Sequence, residues 1–184
     1  MKRAWLVVGL FSCAAAPLDD GGSSPAGAAG NRAPSHNGGA LHAVVLESIR
    51  AGKPYLGICL GLQVLFASSE EEESCVGLGV IPGKVVKFTA RPPLKIPHMG
   101  WNACLHNPSA RPAPALADTA DGTYFYFVHS FFPVPDDERD VALFAEHGER
   151  FCAAVARDNV FACQFHPEKS QRAGLALLSR FAST

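Results

Sequence analysis

Gly57-Ile58-Cys59-Leu60-Gly61 is the segment that most restricts how this chain can fold. It closes the short apolar run Tyr55 to Cys59, which reads as a strand, and leads directly into a helical pattern predicted from about Leu60 to Ser69. A strand that becomes a helix without a linker needs a sharp turn, and glycines on either side leave room for it. The residue at the turn is held in strained backbone at the sheet edge. This is the strand-turn-helix context of a nucleophile elbow, with Cys where Ser is more usual. Cys59 also stands at a helix N-terminus, where partial positive charge favours thiolate. The backbone N–H of Leu60 is aimed at any oxyanion formed on a substrate.

A second segment completes the chemistry. Gln164-Phe165-His166-Pro167-Glu168-Lys169-Ser170 follows an apolar strand. A cysteine nucleophile needs an imidazole, and the imidazole needs a carboxylate to hold its tautomer. His166 and Glu168 supply both from one loop. A lone histidine is more often structural, but here it accompanies an elbow cysteine, and each lies at a strand end.

The rest of the chain reads as one α/β domain. Leu41, Val44, Val45 and Ile49 recur at helical spacing up to about Arg50, and Gly52 and Pro54 end that helix. Strands are expected at Val85–Phe88, around Ile96 and Trp101, at Tyr124–Phe132, Val141–Ala145, Phe151–Ala156 and Val160–Phe165. A last helix is expected over about Gln171–Phe181, with Ala173, Leu177 and Leu178 facing inward. The acidic run Glu70 to Glu73 reads as a solvated helix end or loop. Leu6-Val7-Val8 reads as a buried first strand, although Lys2 and Arg3 before an apolar run also imitate a secretory signal. Residues 17–40 are Gly-, Ala-, Ser- and Pro-rich without a periodic apolar face, so they read as loop, linker or disorder.

The formal net charge of -1 gives no electrostatic reason to expect nucleic acid or an anionic membrane as partner. Six cysteines form no CxxC pair and no histidine pair stands at metal spacing, so no metal or other cofactor is expected. The cysteines read as reduced residues of a cytoplasmic protein.

Together, GxCxG with Gln63 following, and His-Pro-Glu more than a hundred residues later, resemble the triad-type class I glutamine amidotransferases. Lys95-Ile96-Pro97-His98-Met99-Gly100-Trp101-Asn102, Tyr126-Phe127-Val128-His129-Ser130, Gly77 to Gly83 and His166 to Ser170 resemble the histidine-pathway branch of that family. The resemblance runs from about residue 41 to 184. It implies a flavodoxin-like, three-layer α/β fold with a central, mostly parallel sheet and an antiparallel insertion. Residues 1–40 would be an atypical N-terminal segment, and 41–184 the amidotransferase domain.

It also implies roles. Cys59, His166 and Glu168 would be catalytic. Leu60, Gln63 and the backbone around His129, Ser130 and Phe131 would bind L-glutamine. Trp101, Tyr126 and Lys169 would face a separate (β/α)8-barrel cyclase subunit of imidazole glycerol phosphate synthase in a heterodimer. His98 would be structural or interfacial. Ammonia released from glutamine would pass to the cyclase, which makes imidazole glycerol phosphate and an aminoimidazole carboxamide ribotide.

The sequence departs from the family where a PGxG-like loop should supply a second oxyanion N–H. Residues 17–40 stand in its place, and Asn37-Gly38-Gly39 is a poor substitute. One lost oxyanion donor costs about 2.7–4 kcal/mol. Out-of-frame reading of GC-rich DNA would yield such a stretch. The alternatives to a working glutaminase are a catalytically impaired scaffold partner of the cyclase, a secreted hydrolase, and a glutaminase subunit of another class I amidotransferase.

Overall fold

The computed structural model describes residues 6–8, 37–71, 76–89 and 92–184. Expectations for the low-complexity stretch before Asn37, for Glu72 and Glu73, and for Cys13 and Cys75 lie outside the described residues. A first strand, β1 (Leu6–Val8), is followed by helix α1 (Asn37–Arg50). Asn37, Gly38 and Gly39 therefore open a helix instead of forming a loop. Val45 and Ile49, one turn apart, are its buried contacts, whereas Leu41 and Val44 are exposed. Gly52 ends it at φ 77, a value that glycine adopts freely, and the Lys53 N–H returns to the Ser48 carbonyl.

Strand β2 (Tyr55–Ile58) leads through Cys59 into α2 (Leu60–Gln63). This helix is one turn long, not the longer one that its apolar spacing predicts. The reason is local. Leu78 N–H takes the Val64 carbonyl, and Val80 and Ile81 N–H both take that of Leu65. The returning chain thus uses the acceptors that a longer helix would need. Gly77 permits that return, since a Cβ there would collide with the Phe66 carbonyl. Ser68 and Ser69 then form β3 (Ser68–Ser69), which pairs with β4 (Gly83–Lys87). Glu70 and Glu71 follow in bends and are exposed, as expected of a solvated end.

The remaining strands are β5 (His98–His106), β6 (Thr123–His129), β7 (Phe131–Pro135), β8 (Val141–Glu146), β9 (Arg150–Arg157) and β10 (Val160–Cys163). Helix α3 (Gln171–Ala182) ends the chain and buries Gly174, Leu177 and Phe181, with Ala173 and Leu178 half-buried. The aromatic run predicted as one strand divides at Ser130. β6 pairs with β5, and β7 pairs with β4, so the chain passes from one sheet to the other within a single residue.

Among the described residues, a seven-stranded sheet has the order β1-β2-β10-β9-β8-β5-β6, and a smaller sheet the order β3-β4-β7. The large sheet is mixed, a parallel part continuing into an antiparallel one. β1, β2 and β10 are parallel; β10-β9, β9-β8, β8-β5 and β5-β6 are all antiparallel. Connection length explains the split. β8 to β9 and β9 to β10 are joined by only a few residues, which permits hairpins but no crossover. Along β10, Val160 and Ala162 belong to one apolar cluster, and Phe161 and Cys163 to another, so the sheet is covered on both faces. Val45 and Ile49 of α1 and Leu62 of α2 join the first cluster, and Leu177 and Phe181 of α3 join the second.

Candidate active site

The two chemically loaded segments emerge from adjacent parallel strands. Ile58 of β2 pairs with Cys163 of β10, and the next residues, Cys59 and Gln164, leave the sheet at the same edge. Ligand sites of open α/β sheets form at this carboxyl edge. Cys59 has φ 54 and ψ -107, the strained conformation that the elbow requires. Its N–H donates to the Cys163 carbonyl at 2.8 Å, and its carbonyl accepts from Leu62 N–H at 3.0 Å. Gly57 is required because a Cβ there would run into the Gly61 carbonyl and Ala162. Tyr55 Oη–H donates to that same Gly61 carbonyl at 2.6 Å, tying the start of β2 to the helix after the elbow.

His166 is 1% exposed. Its Nδ1 lies 2.7 Å from Glu168 Oε1, so the carboxylate fixes Nδ1 as the protonated nitrogen. Nε2 is then the basic nitrogen; it is buried and has no hydrogen-bond partner among the described residues. A buried orphan of this kind costs about 1–3 kcal/mol and is characteristic of functional positions. The loop is clamped from behind. His166 N–H donates to the Tyr126 carbonyl at 2.8 Å, and Ser170 Oγ–H donates to the His166 carbonyl at 2.6 Å while accepting from Tyr126 N–H at 2.9 Å.

The thiol takes its side-chain hydrogen bond from Gln164 Nε2, at 3.7 Å, and not from His166. Burial pushes the Cys59 thiol above its ordinary range. The Leu60 N–H and Gln164 pull it down, and the Glu168 and Glu71 carboxylates push it up. Bonds between nucleophile and base are often open before substrate arrives and tighten with it.

Gln63 lies beside this centre. Its Nε2 donates to the Phe131 carbonyl at 3.0 Å and to Gln164 Oε1 at 3.1 Å. The expected glutamine-binding positions Gln63 and Phe131 are therefore in direct contact. Ser130 sits at the sheet crossing, its carbonyl accepting from Phe88 N–H. His129 Nδ1 lies 2.8 Å from the Phe131 carbonyl.

Residues 29–183 match the family Glutamine amidotransferase class-I. The chain is 50% identical over 142 residues to the imidazole glycerol phosphate synthase subunit HisH of Syntrophotalea carbinolica, covering 74% of this chain and 68% of that one. It is 50% identical over 143 residues to the same-named subunit of Rhodopirellula baltica, covering 78% and 68%. The chain belongs to the HisH family of class I glutamine amidotransferases. A solved glutamine amidotransferase from Thermotoga maritima shares the fold, with a TM-score of 0.56 and 14% identity over 84% of this chain and 76% of that one.

In this HisH-family chain two of the three expected interface residues are in contact. Trp101 and Tyr126 are register partners on β5 and β6, and their rings meet edge-on at 6.1 Å. Trp101 is 45% exposed, and Met99, Leu105 and Tyr124 are exposed on the same two strands. Lys169, in the 3-10 turn Pro167–Lys169, is exposed. Gln164, Ser170 and Gly174 are parts of the site that sequence reasoning gave no role. Ser170 stands inside the motif carrying His166, which was a usable signal. Gln164 opens the same segment, but only the pairing of β2 with β10 brings it to Cys59.

Proposed function

We propose that this chain is the glutaminase subunit of an imidazole glycerol phosphate synthase, with Cys59, His166 and Glu168 as its catalytic triad. One observation carries the assignment of residues. A histidine whose Nδ1 is held by a carboxylate keeps a buried Nε2, unpartnered among the described residues, at the sheet edge where a cysteine stands in a strained elbow.

Cys59 sulfur attacks the side-chain carbonyl carbon of glutamine. His166 Nε2 takes the thiol proton and returns one to the departing ammonia. Glu168 stabilises the imidazolium that forms between these steps. The Leu60 N–H donates to the developing oxyanion. Water, deprotonated by His166, then attacks the thioester and releases glutamate. Gln63 and the Ser130–Phe131 backbone hold the amino-acid end of the substrate. Ammonia passes to the (β/α)8-barrel cyclase partner, which docks on the face bearing Trp101, Tyr126 and Lys169. A cytosolic location accords with the four described cysteines, which are free.

The test is ammonia release from glutamine by this chain with its cyclase. Activity that disappears in Cys59→Ala is expected, and activity that survives the substitution overturns the assignment. The open thiol-imidazole bond favours a second reading, a scaffold partner without catalysis. Covalent labelling of Cys59 by a chloroketone analogue of glutamine, in the complex, separates the two.

A further inference from the structure

Two buried histidines join the expected glutamine-binding backbone to the strand that carries Trp101: His129 ends β6 and His98 opens β5. His129 Nε2 is 3.1 Å from His98 Nδ1, and His98 Nε2 is 3.2 Å from Asn102 Nδ2. Both ends of this chain are closed by backbone carbonyls, which only accept. At one end the Phe131 carbonyl, 2.8 Å from His129 Nδ1, requires a proton on that nitrogen. Neutral His129 then offers Nε2 as an acceptor, which requires the proton of His98 on Nδ1. Neutral His98 offers Nε2 as an acceptor in turn. At the other end Asn102 Nδ2 also donates to the Glu146 carbonyl at 2.8 Å, and this fixes the amide so that its N–H group faces His98. The proton positions deduced from the two ends agree.

The arrangement has one direction and one protonation state. A proton added to either ring would set two donors against each other. The surroundings oppose that proton. Burial foremost, with the neighbouring His147, lowers His98 to about 4. Burial foremost, with His98, His147 and His166 beyond it, lowers His129 to about 3. His147 packs against His98 with ring centroids 4.3 Å apart and the planes tilted by 31°, and is itself tied to the Lys95 carbonyl. Phe88, Phe127 and Phe151 complete the packing around His98.

The Phe131 carbonyl is the meeting point. It accepts from His129 on one side and from Gln63 on the other, and Gln63 continues through Gln164 to the Cys59 sulfur. We propose that His98, set by Asn102, is a positioning residue for the glutaminase reaction: through His129 it holds the Phe131 carbonyl, and with it Gln63, in the arrangement that receives glutamine. The proposal rests on the glutaminase reading. It gives His98 a part in substrate binding beyond a structural or interfacial one.

Two substitutions separate positioning from packing because they reverse the expected order. His98→Phe keeps the ring volume and removes the hydrogen bonds. His98→Asn loses volume but keeps an N–H where Nδ1 stood. Cys59 labelling is measured in the full chain with its cyclase, using the chloroketone analogue of glutamine and, separately, iodoacetamide. With His98→Phe, labelling by the analogue should slow by about tenfold, the effect of one buried hydrogen bond, while iodoacetamide labelling stays near that of the wild type. His98→Asn should restore most of the loss, and the KM for glutamine should follow the same order. Asn102→Ala leaves the core intact and should give a smaller loss with the analogue alone. Phe outperforming Asn, or equal slowing with both reagents, overturns the proposal. A wild-type complex that ignores the analogue but reacts with iodoacetamide overturns the glutaminase reading, and this proposal with it.

Discussion

At Cys59 the elbow geometry and the electrostatics pull in opposite directions. The turn exposes the sulfur to its substrate, yet burial keeps the thiol protonated, and the Glu168 and Glu71 carboxylates add to that. The Leu60 N–H and the Gln164 amide oppose them without prevailing. A thiol held above its ordinary value of 9.0 loses its proton only in alkaline solution, so at rest the sulfur is a weak nucleophile, and in the proposed mechanism His166 activates it. Iodoacetamide alkylation of Cys59 should therefore rise with pH and reach half its maximum above 9.0. Gln164→Leu removes a stabilising donor and should move that midpoint higher still. A midpoint near neutrality would mean that a thiolate-imidazolium pair already exists at rest. The proposed triad could be picked out in the sequence because Cys, His and Glu are the residue types such chemistry needs, and glycines and strand ends mark their places. Gln164 could not, since an amide inside an apolar strand pattern acquires meaning only through the register of β10 on β2.

At the level of elements, the loop carrying His166 and Glu168 is shaped by what packs behind it. Ser170 bridges the His166 carbonyl and the Tyr126 N–H, joining the loop to β6, and α3 approaches so closely that a Cβ on Gly174 would strike the Pro167 carbonyl. Ser170→Ala leaves the Tyr126 N–H without its partner, while the His166 carbonyl keeps the Lys169 N–H as its donor. It should lower stability by about 1–3 kcal/mol and reduce kcat more than it raises KM, as read from urea midpoints and steady-state glutaminase kinetics. Stability lost with kcat intact would show that the clamp serves folding alone. Elements with a simple period were legible: α3 and β8 to β10 lie within a few residues of their expected places. The one-turn α2 and the division of the aromatic run at Ser130 were not. Each is decided by a distant partner, the returning segment Leu78–Ile81 in one case and the Phe88 N–H in the other. Local spacing carries no trace of either.

At the scale of the whole molecule, β5 and β6 carry one row of side chains into the core and an apolar row outward. Odd residues of β6, Phe125, Phe127 and His129, turn into the core, whereas Tyr124 is exposed and Tyr126 half-buried. On β5 the same alternation buries His98 and Cys104 and exposes Met99, Trp101 and Leu105. The period of two was visible in the sequence. That these two strands are neighbours, and that Trp101 and Tyr126 are register partners, required the structure. A contiguous exposed group of Trp, Tyr, Met and Leu marks a protein-docking face, and a Trp near its centre is the residue type that dominates binding energy. Trp101→Ala should weaken association with the cyclase by about 2 kcal/mol or more, roughly 30-fold in Kd, as measured by titration calorimetry. Because Trp101 is half-exposed and outside the buried core, the isolated chain should unfold at nearly the same urea concentration as the wild type. An unchanged Kd would place the cyclase on another surface. A falling urea midpoint with unchanged Kd would return Trp101 to the core, as an ordinary packing aromatic.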